Sequence, residues 1–130
     1  MRITIFFMSL LIAITAYAEV WTPAGKTDDG TIISYDSSSV QRFGDVVTYW
    51  EMSNYSKNVG QGDQIKSKKT QIETNCKTGL DRATKIFAYS KPNTGGDIIN
   101  TYVNDKAKWT PSPIGSAGEV MLKTVCSLKI

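Results

Sequence analysis

The chain contains no histidine. That absence removes imidazole acid–base catalysis, Ser-His and Cys-His nucleophile pairs, and most transition-metal sites. Cysteine is nearly as scarce, with only Cys76 and Cys126 in 130 residues. No excess of one charge sign is present either: 15 Lys and Arg stand against 12 Asp and Glu, a formal net charge of +3. That balance gives no argument for nucleic acid or a charged membrane surface as partner. Internal repeats and low-complexity segments are also missing. No catalytic motif and no cofactor is expected. Asp28-Asp29-Gly30 lacks the downstream ligands of a calcium loop, and no Ser-x-x-Lys pair falls on a helical stretch. No carboxylate pair stands out in an apolar setting.

What is present begins with Arg2 and the apolar run Ile3 to Ile14, broken only by Thr4 and Ser9 and followed by Ala16-Tyr17-Ala18. This reads as an export signal over residues 1–18, too short for a comfortable membrane span. Glu19 follows, and no cysteine precedes Cys76, so a lipid anchor has no attachment site. The expected mature chain is one domain, residues 19–130, without a stable membrane anchor. A domain of that length buries one core and gains much from a staple.

Trp109 and the two prolines Pro111 and Pro113 lead into Ser116-Ala-Gly-Glu119, a capping box that starts a helix. Met121, Leu122, Val125 and Cys126 fall on one face of it. Such a short amphipathic helix needs a surface to pack on. A bridge from Cys126 to Cys76 would enclose about 50 residues and stabilise the fold by roughly 4 kcal/mol. The alternative is two free, buried thiols.

The remaining segments read as strands. Glu19 to Thr22 and Thr31 to Tyr35 form a hairpin around Asp28-Asp29-Gly30, and Asp36-Ser-Ser-Ser39 caps a single helical turn. Val46 to Tyr55 is the strongest strand. The expectation places Val46, Thr48, Trp50 and Met52 toward the core, with Trp50 as its largest filler, and Val47, Tyr49, Glu51 and Tyr55 on the opposite face. Ser56 to Gln64 reads as an exposed connector. Ile65 to Cys76 alternates so that Thr70, Ile72, Thr74 and Cys76 point at the helix. Lys66, Lys68 and Lys69 make a small basic cluster at its start. The choice is between solvated edge protection and a contact for an acidic partner. Ala83 to Ser90 and Asp97 to Val103 form a last hairpin around Pro92-Asn-Thr-Gly-Gly96. The fold class is α+β: an antiparallel sheet of about six strands with a C-terminal helix on one face, tied by a disulfide.

Several residues now fit one pattern: Trp21 after an export signal, Tyr35-Asp36-Ser37-Ser38, the strand carrying Trp50 with Tyr55 after it, Ser67-Lys68, Cys76, Trp109 and Val125-Cys126. Together they resemble the bacterial surface-adhesin protein E family. The resemblance implies the same sheet and helix, joined through Cys76 and Cys126. It also implies a non-enzymatic, adhesin-like role toward host matrix or plasma proteins such as vitronectin and laminin. The name-giving adhesin is displayed as a lipoprotein, and this chain lacks the cysteine for that. The expected location is therefore periplasmic or secreted, and the alternative function is that of a soluble periplasmic protein with a structural or envelope-maintenance role and no host ligand. The resemblance carries over no ligand-binding residue, and it leaves the oligomeric state open.

Overall fold

A computed structural model describes residues 18–59 and 64–130 of the protein. The stretch read as an export signal therefore lies outside the described residues, apart from Ala18. Among the described residues, eight antiparallel strands form one sheet: β1 (Trp21–Lys26), β2 (Ile32–Asp36), β3 (Gln41–Phe43), β4 (Val46–Val59), β5 (Ile65–Asn75), β6 (Leu80–Lys91), β7 (Gly95–Val103) and β8 (Thr110–Pro111). The main path runs β1-β2-β4-β5-β6-β7, while β3 pairs with β4 and β8 with β6. These six principal strands are the expected sheet. The two additions are two and three residues long, too short to leave a periodic signal. One helix, α1 (Ala117–Val125), follows β8.

The sheet curls into a half-barrel. Register shifts interrupt four of its pairings, between Pro23 and Gly25, Asn54 and Val59, Gln71 and Ile72, and around Tyr89. Each extra residue bends its strand and increases the local twist. At the third, Gln71 pairs with Lys85 and Ile72 with Ala83, so Thr84 is left over. Its hydroxyl donates to the Gln71 carbonyl at 3.3 Å.

The helix starts where expected. The Ser116 hydroxyl accepts the Glu119 amide at 3.3 Å. The reciprocal half of the capping box does not form. Ser116 N–H donates to the Pro113 carbonyl, and Glu119 instead meets Lys123 one turn on at 3.2 Å. Glu119 still sits at the positive end of the helix dipole. Met121 and Val125 are fully buried. Cys126 reaches Cys76 with 5.7 Å between α-carbons, so the bridge forms across 50 residues of chain, within ordinary disulfide geometry.

The core lies between α1 and one sheet face. It comprises Ile33, Tyr35, Val47, Tyr49, Ile72, Met121 and Val125. This overturns the expected orientation of β4, although Met52, on the face away from the helix, is buried as expected. Tyr49, not Trp50, is the largest fully buried side chain, and Trp50 is half-buried on the opposite face. The register supplies the reason. Tyr49 pairs with Ile72 and Val47 with Thr74, and the face of Ile72 is the one to which Cys76 ties the helix. Paired residues share a face, so β4 follows its neighbour. Its own pattern is apolar on both sides and could not decide. The Tyr49 hydroxyl is satisfied by Thr74 Oγ1 at 3.1 Å, and burial raises its pKa far above the usual phenol range. The strand also continues to Val59, four residues beyond Tyr55, into the expected connector.

Candidate binding surface

The face turned away from α1, the open face, carries the aromatic residues that the core leaves out. Alternation along β4 and β5 sets Trp50 beside Gln71 and Lys69 beside Met52, and Phe87 on β6 pairs with Lys69. The Trp50 and Phe87 rings stack with centroids 6.1 Å apart and planes 25° from parallel. The Lys69 ammonium lies over the Trp50 ring at 4.8 Å and over the Trp21 ring at 5.9 Å. It also ion-pairs with Glu19. An ammonium over the face of an indole is held by the ring quadrupole. Two tryptophans and a carboxylate therefore fix one lysine above the middle of the sheet.

A second cation–aromatic unit stands nearby on β6. The Arg82 guanidinium lies 4.5 Å above the Trp109 ring and reaches Glu73 at 2.8 Å. Register explains the pair, because Arg82 and Glu73 are cross-strand partners. Trp21, Trp50, Phe87 and Trp109 are all half-buried. Their rings are held in place yet still reach solvent.

Two turns frame this face. At one edge, the Asp36 carboxylate accepts from Val20 N–H at 2.9 Å and from Ser38 N–H at 3.0 Å, capping the single turn Ser37–Ser39. Burial works to raise its pKa, but the hydrogen bonds from Ser38 and Val20 and the Lys69 charge outweigh burial and hold it below the usual carboxylate range. At the other edge, the β6–β7 turn folds back toward β4 and β5. Thr94 N–H donates to Ser67 Oγ at 2.9 Å, and Asn93 exchanges hydrogen bonds with Asn54 at 2.7 and 2.8 Å. Asn93 and Thr94 both adopt φ of 57°, as a type I′ turn requires. For β-branched Thr94 that conformation is strained.

The basic residues singled out in the sequence do not form one patch. Lys69 belongs to the open face. Lys68 takes the other face, with its ammonium 5.9 Å from the Tyr55 ring, and lines a cavity with Ile65, Ile86 and Tyr102. Lys66, two residues before it, follows the same alternation. Sequence reasoning named Lys69 but missed its setting. The residue pattern points Trp50 at the core and gives Phe87 no partner, and strand register alone brings the three together.

On the helix face, the sheet and the start of α1 line two cavities open to solvent. The larger, about 420 Å³, lies among Thr27, Asp29, Ile33, Tyr55 and Ile114. The Asp28-Asp29-Gly30 motif there is turn chemistry, as expected: Asp29 accepts from the Thr27 hydroxyl and from Thr31 N–H. Those bonds lower its pKa to about 2. The smaller cavity, about 280 Å³, is lined by Glu51 and Asp81. A carboxylate pair in a partly apolar setting therefore exists after all, supplied by strands 30 residues apart in sequence. Among the described residues, no group of three or more Cys, Asp or Glu is placed to hold a metal ion. No helix among them is long and apolar enough to cross a membrane.

A disulfide-stapled half-barrel with a platform of ordered aromatic and cationic side chains defines a class, the small antiparallel binding domain. The model of the surface-adhesin protein E family matches residues 21–127, and the chain belongs to that family. Among solved structures it is similar to Haemophilus influenzae protein E, with a TM-score of 0.55 and 13% identity over 82% of this chain and 83% of that one. That likeness supports the fold. No curated protein matches the sequence.

Proposed function

We propose that the protein is an exported, non-enzymatic binding protein. It works from residues 19–130 after removal of a signal at 1–18, and it engages a partner protein through the open sheet face. The observation that carries this reading is the set of ordered, half-exposed tryptophans, each with a cation over its ring. Trp and Arg are enriched among the few residues that carry most of the binding energy of protein interfaces. Here Lys69 and Arg82 are already positioned over Trp21, Trp50 and Trp109, so little ordering remains for binding to cost. Family membership supports an adhesin-like role. Host matrix or plasma proteins are the first partners to test, and other envelope components the second.

Titration of the purified protein onto immobilised vitronectin and laminin at physiological salt tests the reading. Saturable binding that Trp50→Ala weakens at least about tenfold is expected, since one central aromatic is worth over 1 kcal/mol. Equal binding by the variant would move the site off the open face. No binding to any matrix or plasma protein, together with resistance to surface protease on intact cells, would favour a periplasmic envelope role.

A further inference from the structure

The Glu51 carboxyl has no part in the binding face described above. It is 4% exposed, lies on the helix side of β4, and lines the cavity of about 280 Å³. Ser53 Oγ donates to its Oε1 at 3.2 Å, while its Oε2 has no hydrogen-bond partner. A buried carboxylate oxygen left without a donor is costly and rare. The other polar side chains around the cavity are engaged elsewhere, Thr110 Oγ1 donating to the Asp81 carbonyl at 3.5 Å. Asp81 already accepts from the Ser112 hydroxyl, and as a carboxylate it adds acceptors rather than donors. Arg82 also borders the cavity, but its guanidinium is engaged with Glu73 and Trp109. Ser116 Oγ donates to the Pro113 carbonyl and accepts from Glu119.

The rest of the wall is Ile72, Ala83, Pro111, Pro113 and Ala117, which suits methylene groups. The space, about 280 Å³ and open to solvent, is large enough for a short chain of several non-hydrogen atoms. Two carboxylates exclude an anion, and the missing third ligand argues against a metal ion. We propose that this cavity binds an alkylammonium group: the Glu51 carboxyl, whose Oε2 is closed to solvent in the unbound protein, turns so that Oε2 accepts from the nitrogen, and the stem lies against Ile72 and the two prolines. A lysine side chain of a partner and a free polyamine share this chemistry. The proposal stands independently of the open-face reading, because it concerns the opposite side of the sheet.

Burial and the Asp81 charge raise the Glu51 pKa to about 7, against the hydrogen bond from Ser53. The charged and titratable groups near it are Asp81 and Arg82 from β6, Tyr49 and Tyr55 on its own strand, and its β2 partner Tyr35. Its β5 partner, Thr70, is uncharged. An ammonium at Oε2 favours the ionised form, so binding must release protons near neutral pH.

The test is calorimetric titration of the purified protein with n-butylamine, cadaverine and an acetylated, amidated Gly-Lys-Gly peptide, with n-butanol as the uncharged control. Saturable amine binding at pH 8 that weakens at least about tenfold by pH 5.5 is expected. So are the failure of butanol to bind and loss of at least about tenfold affinity in Glu51→Gln. In the wild type, saturating n-butylamine should move the ¹³C-detected titration of the Glu51 carboxyl down by about one pH unit or more, which needs no variant to fold. Peptide binding alone would identify a partner's lysine as the source, and binding of the free amines alone would identify a polyamine. Either upholds the site. No amine binding up to about 10 mM, equal binding of butanol or by Glu51→Gln, or an unmoved Glu51 titration would overturn it.

Discussion

The two faces of β4 are built from similar residues and closed by different means. On the helix side, Val47 and Tyr49 are sealed by Met121 and Val125, and all four are at most 1% exposed. On the open side, Met52 is buried, but Trp50, under the Phe87 ring and the Lys69 ammonium, remains half-buried. Apolar area removed from water stabilises a fold by about 25 cal/mol per Å² wherever it is buried. The difference is what completes the burial. A covalently tethered helix finishes one face, whereas the other stays unfinished in a way that a second molecule can complete.

The contrast can be broken most directly at the tether. Replacing both Cys76 and Cys126 by Ala should cost about 4 kcal/mol from loop entropy. That lowers the melting temperature by about 15–25 °C, read by near-UV circular dichroism. A loss under about 1 kcal/mol would mean that helix packing alone holds α1 in place.

Truncations then compare the faces. Met121→Ala should destabilise by about 3 kcal/mol, as for fully buried side chains. Trp50→Ala should cost about half the full-burial value, about 2 kcal/mol, because its ring is only partly covered. Denaturant midpoints at constant m decide the matter. A larger loss at Trp50 would make the open face a second core rather than a binding platform.

Acidity separates the faces in another way. The Glu51 carboxyl titrates higher folded than unfolded, from 4.5 to about 7. Between those values the native state binds more protons than the unfolded one, so stability falls as pH rises through the window and is flat above it. The full effect is about 3 kcal/mol. Glu51→Gln should abolish this slope between about pH 5 and 7 and leave the variant more stable than the wild type at pH 8. Asp36, depressed on the open side, acts in the opposite sense and only in more acidic solution. Melting curves at half-unit pH steps resolve the two, and an unchanged slope in the variant would remove Glu51 as its cause.

The smallest effect concerns the turn that frames the open face. Thr94→Gly relieves a left-handed β-branched residue and keeps the amide that Ser67 accepts. Stability should rise by about 1 kcal/mol. A decrease would show that the Thr94 side chain, whose hydroxyl reaches the Asn93 carbonyl at 2.7 Å, outweighs the backbone strain.

Much of the fold was legible because its signals are local. The turn at Asp28-Asp29-Gly30, the Asp36 cap, the Ser116 cap with Met121 and Val125 at helical spacing, and the alternation of Ile72, Thr74 and Cys76 each depend on a few consecutive residues. Residue order alone therefore specified strands, a C-terminal helix and two cysteines facing each other. It could not orient β4, since Val-Val-Thr-Tyr-Trp-Glu-Met is apolar on both sides of the pleat and a period of two does not say which side is inside. That choice came from register against β5 and from the helix that Cys76 anchors. It sent Trp50 outward to Lys69 and Phe87 and drew Glu51 inward beside Asp81. Both candidate sites rest on side chains brought together across strands, and only cross-strand pairing, with its dependence on distant chain segments, could decide where they lie.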